Sequence, residues 1–285
     1  LLVMGAVTVN TPHGLDGKLI LVTGAGTGIG KGIAIEAARQ GADVVLSYSN
    51  SAAGALEAVE EIRGLGRRAT AIQADLGKVP DCQRLVDEAA AFLGGLDGLV
   101  NNAGVTLTLG FEDVTEEHFN QIYHLNIRGQ FFTAQRAVRY MKERGRQLRQ
   151  EHGAWAGGSI INVSSVHGFA GCPGHSVYAG TKGAINAFSR ELAVELCAEH
   201  IRVNVLAPGS IEVQSYFSNP NYTREQGDSM VPWGRIGLPH DCGYMAAFML
   251  SDAAEFLTGH VLYFDGGLTA KMALPIQPES GERKA

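Results

Sequence analysis

The chain has 285 residues, 45% of them hydrophobic, which is enough for one large α/β domain with a well-buried core. Its formal net charge of −6, with no basic stripe, excludes nucleic acid as a natural partner. No apolar run is long enough to span a bilayer, and the four cysteines, Cys82, Cys172, Cys197 and Cys242, have neither CxxC spacing nor a companion His cluster. They read as free thiols in a reducing, cytoplasmic compartment, with no metal site.

The chain opens on Leu1-Leu2-Val3-Met4, an apolar stretch that is short and lacks a basic region. Residues 1–14 therefore read as a flexible leader rather than a signal peptide. The first strand candidate, Leu19–Val22, runs into Thr23-Gly24-Ala25-Gly26-Thr27-Gly28-Ile29-Gly30 and then a helix over 30–40. A GxGxxG register fails because the sixth position from Gly24 is Ile29; GxxxGxG fits, through Gly24, Gly28 and Gly30. Glycines here let the backbone approach a pyrophosphate, and the helix that follows aims free N–H groups at it. Thr27 and Ile29 belong to the same turn.

A second strand over 44–46 ends in Ser47-Tyr48-Ser49-Asn50-Ser51. An acid at this exit would bind a free ribose 2′-hydroxyl and repel a 2′-phosphate. The one nearby acid, Asp43, stands at the strand's other end, so Tyr48, Ser49, Asn50 and Ser51 read as an NADP(H)-preferring pocket that leaves NAD(H) open; the same residues also suit a helix cap. A helix over 52–65, a strand at Ala69–Gln73, the pair Asp75 and Leu76, and a helix over 81–93 follow. The fourth strand, Gly98–Asn101, exits through Asn102-Ala103-Gly104, whose small residues allow a ligand to come close.

One helix is expected over 116–143, with Asn126 inside it, and then a polar insertion over 144–157. The basic residues between Lys142 and Arg149 are interleaved with Glu143 and Glu151 and read as a solvated helix end. A strand over 159–163 ends in Ser164-Ser165, at the edge where ligands bind in parallel sheets. The next helix, 177–199, carries Tyr178 and Lys182 four apart and so on one face. A cation beside a phenol favours the phenolate. Lowering its pKa by about three units takes roughly 4 kcal/mol, which a close, partly desolvated ammonium can supply. A strand over 202–206, the Pro208-Gly209 turn and Ile211 lead to an aperiodic stretch at 212–237 that reads as a substrate loop. Helix 240–250, strand Val261–Phe264 and a tail over 271–285 close the chain. Short apolar strands alternating with helices imply one Rossmann-type domain over 15–270, a doubly wound parallel sheet covered on both faces.

In this order, Thr23-Gly24-xxx-Gly28-Ile29-Gly30, Asp75, Asn101-Asn102-Ala103-Gly104, Asn126, Ser165, Tyr178-xxx-Lys182 and Pro208-Gly209 resemble the short-chain dehydrogenase/reductase family in its single-domain form, over roughly residues 15–267. The resemblance implies about seven strands in the order 3-2-1-4-5-6-7 and a homotetramer. It implies hydride transfer between nicotinamide and a small alcohol or carbonyl. Tyr178 would exchange the proton and Ser165 would hold the substrate oxygen. Lys182 would bind the nicotinamide ribose and lower the tyrosine pKa, and Asn126 would anchor a relay water. Asp75 would border the adenine, and Ile211 would meet the nicotinamide amide through its backbone. Val213 stands where a threonine is common.

Ser164-Ser165-Val166-His167, the second-strand exit and Asp265-Gly266-Gly267 are similar to glucose 1-dehydrogenase-type members, which implies a sugar or polyol; 3-oxoacyl-carrier-protein reductases share most of these motifs and form the alternative. A protein that binds NADP without chemistry would not need Asn126, Ser165, Tyr178 and Lys182 together. A sugar-nucleotide epimerase, which can share YxxxK, would need a sizeable C-terminal substrate domain. Substrate selectivity is expected from His167, His175, Tyr216 and Phe217.

Overall fold

A computed structural model describes residues 14–271; most of the leader, residues 1–13, and the tail beyond 271 lie outside the described residues. Seven strands form one parallel sheet: β1 (Leu19–Val22), β2 (Asp43–Tyr48), β3 (Ala69–Gln73), β4 (Gly98–Asn101), β5 (Gly158–Val163), β6 (Ile201–Pro208) and β7 (Val261–Phe264). Their order is β3-β2-β1-β4-β5-β6-β7, as the family resemblance implies. The apolar strands lie fully buried because helices cover both faces of the sheet. On one face, α1 (Gly28–Arg39), α2 (Ala52–Gly64) and α8 (Pro239–Leu250) share a core through Ile33, Ile62 and Met249. On the other, α3 (Val79–Leu93), α5 (Gln130–His152) and α6 (Ser176–Leu196) pack Leu85, Met141 and Leu196 against β4, β5 and β6. The strand order reverses at β1, with β2 on one side and β4 on the other, which opens a crevice at the carboxyl edge where most of the candidate residues cluster.

The structure corrects three expectations. The helix expected over 116–143 is interrupted: α4 (Glu116–Tyr123) passes through a π-helical turn, His124–Gly129, before α5 begins. Asn126 sits in that turn. The insertion over 144–157 is largely helix, because α5 runs on to His152. Gly145 makes this continuation fit: a Cβ there would lie 2.4 Å from the Trp155 ring, which folds back onto the helix. Finally, 212–237 is not irregular throughout. It holds a 3₁₀ turn, Gln214–Ser218, and α7 (Arg224–Met230), the latter closed by a Thr223 capping box. No helix among the described residues is long and apolar enough to cross a membrane.

Candidate active site

The turn between β1 and α1 is tied to the end of β4. The Thr23 hydroxyl accepts from the backbone N–H groups of Asn102 and Ala103, both at 3.0 Å. The Asn102 amide donates to the carbonyls of Thr23 and Gly24 at 3.0 and 3.1 Å. Glycine is required where these backbones meet. A Cβ on Gly30 would lie 2.4 Å from the Asn102 amide nitrogen, and one on Gly24, whose φ is +62°, 2.8 Å from the Ala103 Cα. The first turn of α1 has no side-chain cap, so its N–H groups remain free to receive an anion. This is the form of a cradle for a pyrophosphate.

Two adjoining clefts extend from that cradle and share Gly24, Thr27, Asn102, Gly104 and Val105. One, of about 390 Å³, runs past Tyr48, Ser49, Asn50 and Ser51 to Asp75 and Leu76. No acid stands at the β2 exit, and α2 begins there with no side-chain cap from Ser51, so its positive end faces the cleft. Ser47 turns inward and accepts from the Gly24 N–H at 3.3 Å. The Asp75 carboxylate is held by Lys78 at 3.1 Å and by the Gly77 N–H at 3.0 Å. The other cleft, of about 520 Å³, includes Gly28 and Ile29 and reaches Tyr178 and Lys182, with Thr106, Val213, Gln214 and Ser215 along its side. These residues fit an extended dinucleotide with its reactive end beside Tyr178.

Pro208, Gly209 and Ile211 are not part of this groove. Pro208 ends β6, Gly209 packs on Asp265 and donates to the Phe264 carbonyl at 3.0 Å, and Ile211 is buried against Gly237. Val213, Gln214 and Ser215 line the groove on this side. Val213, at the position where a threonine is common, also packs on Gly28, 3.1 Å from where a Cβ would be.

Ser165, Tyr178 and Lys182 converge where β5 meets α6. Lys182 is 4% exposed, and its ammonium donates to the Val163 carbonyl at 2.9 Å. Burial pulls its pKa down to about 8. Its Nζ stands 5.4 Å from the centre of the Tyr178 ring. Burial raises the Tyr178 pKa, opposed by the Ser165 hydroxyl and reinforced by Tyr216. The expectation that Lys182 depresses the tyrosine pKa is thus reversed in the free protein. Ser165 also caps the short turn Val166–Gly168, accepting from the His167 N–H at 3.2 Å.

Asn126 is fully buried, and its amide is committed. It accepts from the Val105 N–H at 2.9 Å and donates to the Val105 carbonyl at 2.9 Å and the Thr181 hydroxyl at 3.2 Å. Its side chain therefore fixes the loop after β4 against α6. His167 and His175 flank Tyr178, with ring centres 5.5 and 6.3 Å from it and 4.7 Å from each other. Burial, then the neighbouring His175, lowers the His167 pKa and keeps its ring neutral. Tyr216 comes close enough to affect Tyr178, whereas Phe217 is 54% exposed and packs on Tyr222. Sequence patterns overlooked Thr181, Glu212 and Tyr222, whose parts depend on partners elsewhere along the chain.

A family model described as enoyl-(acyl carrier protein) reductase matches residues 24–269. A hydroxynaphthalene reductase-like protein of Metarhizium robertsii is 39% identical over 271 residues, spanning 90% of this chain and 97% of the relative. Versicolorin reductase 1 of Dothistroma septosporum is 38% identical over 265 residues, 89% of this chain and 96% of its own. Among solved structures, a short-chain type dehydrogenase/reductase from Mycobacterium marinum superposes with a TM-score of 0.81 at 31% identity, covering 91% of this chain and 98% of that one. Acetoin dehydrogenase from Salmonella typhimurium gives 0.80 at 31%, covering 90% and 97%. With fold, groove and motif order in agreement, the chain belongs to the short-chain dehydrogenase/reductase family of nicotinamide-dependent oxidoreductases.

Proposed function

We propose that this protein is an NADP(H)-preferring reductase that converts the carbonyl of a small hydroxylated aromatic ketone to an alcohol. The observation that carries this reading is a buried, neutral Tyr178 beside Ser165, on the same groove as Lys182. A Tyr178 that is protonated at neutral pH can give its proton to a carbonyl oxygen as the hydride arrives, and the choice of reduction as the direction follows the similar proteins' names. Ser165 would hold the carbonyl oxygen, Tyr178 would give it a proton, and Lys182 would bind the ribose and steady Tyr178. Bound nicotinamide would supply the hydride. Gly24, Thr27, Gly28, Ile29 and Gly30 would hold the pyrophosphate, and Asn102, Ala103 and Gly104 the adjoining sugar. Tyr48 to Ser51 would receive the 2′-phosphate, drawn there by the positive end of α2; the absence of an arginine from that cleft wall leaves NAD(H) as the lesser cofactor.

The aromatic class rests on the pocket wall and on the relatives' names. His167 and His175 stand beside Tyr178, and Tyr216 and Tyr222 belong to the loop whose Val213, Gln214 and Ser215 line the same groove; aromatic faces there would suit a planar phenolic ketone. A polyol would need a denser set of hydrogen-bonding side chains, and the similar proteins are named for hydroxynaphthalene and versicolorin rather than for sugars. An acidic carrier protein is the weaker alternative, because the lid's two arginines are both engaged, Arg224 by Glu212 and Arg235 by Asp241. The reading takes a homotetramer from the family, and a cytoplasmic site from the four free thiols.

The test is a panel of hydroxylated bicyclic ketones, aldoses, polyols and β-ketoacyl esters, with both cofactors, followed by nicotinamide absorbance. NADPH-dependent turnover is expected to be fastest on the aromatic ketones. Faster turnover of aldoses with NAD would overturn both the substrate and the cofactor assignment.

A further inference from the structure

The loop after β6 is closed at its base. The Glu212 N–H donates to the Gly237 carbonyl at 2.8 Å, and the Gly237 N–H donates to the Ser210 carbonyl at 3.0 Å. With its two ends joined, the shape of the loop between them is set by its interior contacts. Glu212 turns its side chain under the loop and is 5% exposed. A carboxylate in that position is costly unless it is paired and hydrogen-bonded. It receives the Tyr222 hydroxyl at 2.7 Å and the Arg224 Nε at 3.3 Å, and forms an ion pair with the Arg224 guanidinium. Arg224 is the first residue of α7, where the helix dipole disfavours a cation, so the carboxylate also steadies the start of that helix.

Tyr222 carries the constraint onward. Its ring stands edge-on to Tyr216, with centres 5.2 Å apart at 81°, and to Phe217, 5.6 Å apart at 83°. Tyr216 directly follows Val213, Gln214 and Ser215, which line the same groove as Tyr178. One buried carboxylate thus reaches, through two aromatic rings, the lid segment that faces the reacting phenol.

We propose that Glu212 is a positioning residue that fixes the aromatic wall of the substrate pocket through Tyr222, and so sets the preference for flat substrates. The preference for aromatic ketones rests on the function proposed above; the ordering of the lid by Glu212 does not. Removing the carboxylate leaves the Tyr222 hydroxyl and the Arg224 guanidinium without their acceptor. A glutamine keeps an acceptor for Tyr222 and loses the charge that holds Arg224.

The experiment compares Glu212→Ala, Glu212→Gln and Tyr222→Phe with the parent. Amide hydrogen exchange is followed over 214–230, NADPH affinity by fluorescence titration, and KM on a hydroxylated bicyclic ketone and on a small aliphatic diketone. In Glu212→Ala, exchange over 214–230 should accelerate about tenfold and KM for the bicyclic ketone should rise about tenfold, the loss expected when buried hydrogen-bonding groups are left unpaired. NADPH affinity should stay within about twofold, and the aliphatic substrate should be affected least. Glu212→Gln should fall between Glu212→Ala and the parent, and Tyr222→Phe should shift the bicyclic KM in the same direction. Unchanged exchange in Glu212→Ala would overturn the proposal, as would a loss of NADPH affinity as large as the rise in KM. Should Glu212→Ala fail to fold, Tyr222→Phe decides by the same two readouts. Should no ketone be turned over, the functional reading fails, while exchange over 214–230 still decides whether Glu212 orders the lid.

Discussion

The cofactor side and the substrate side of this crevice are built by different means. Around the β1–α1 turn, backbone meets backbone. Thr23 and Asn102 lock two strand ends together, and Gly24 and Gly30 stand where no side chain fits. The lid over 212–237 is closed at its base by a short bridge and shaped inside by side chains, chiefly Glu212, Tyr222 and Arg224. The first construction suits a ligand held in one fixed place. The second would let a few substitutions change what the lid admits while the chemistry between the two sides stays as it is.

The largest effect that divides the two sides is chemical. Tyr178→Phe keeps the ring and removes the proton, so turnover should fall by about a thousandfold while NADPH affinity stays within a few-fold. Steady-state rates and fluorescence titration check this, and activity within a few-fold of the parent would reject the assignment. Lys182→Met should separate function from stability. The buried ammonium has its pKa lowered from 10.5 to about 8, so below pH 8 the folded state bears the cost of a desolvated charge. Between pH 8 and 10.5 the unfolded chain binds more protons than the folded one, so parent stability rises with pH through that window. At pH 7 the methionine variant should be more stable by about 1–3 kcal/mol and inactive, and that advantage should shrink toward pH 10. Denaturant titrations at pH 7 and pH 10 measure the difference.

Smaller effects test the rigid side. Gly30→Ala forces a methyl against the Asn102 amide and the Gly24 carbonyl, and should cost about 1–3 kcal/mol of stability. NADPH affinity should fall with it, because the turn that meets the phosphates must shift. A variant that melts and binds like the parent would show that the cradle is less constrained than its contacts imply. Tyr48→Asp should weaken NADPH relative to NADH by about tenfold, or roughly 1.4 kcal/mol, through repulsion of the 2′-phosphate. A parent that already prefers NADH would remove the basis for that assignment.

This division also explains what could be read from the sequence. The glycine turn, the apolar strands and the Tyr178–Lys182 spacing are local patterns with a physical reason at each position, and the sheet order follows from the family that they resemble. The π-helical turn at Asn126 was hidden, because nothing local marks one extra residue in a long helical pattern. The continuation of α5 was hidden because it depends on Trp155 folding back over Gly145. The reversed Tyr178 pKa shift was missed because a spacing of four shows that two groups are near, and does not show how deeply each is buried. Glu212 lies in a stretch without periodicity, and its bonds appear only with Tyr222 and Arg224 in place.

The contrast between the two sides is tested most directly by amide hydrogen exchange in three states: free protein, protein with NADPH, and protein with oxidised cofactor and the alcohol product of an aromatic ketone. NADPH alone should protect 23–30, 47–51 and 213–215 and leave 216–230 nearly as fast as in the free protein; the ternary complex should then slow 216–230. Equal protection of 216–230 in all three states, or protection there by NADPH alone with 23–30 unchanged, would contradict the account.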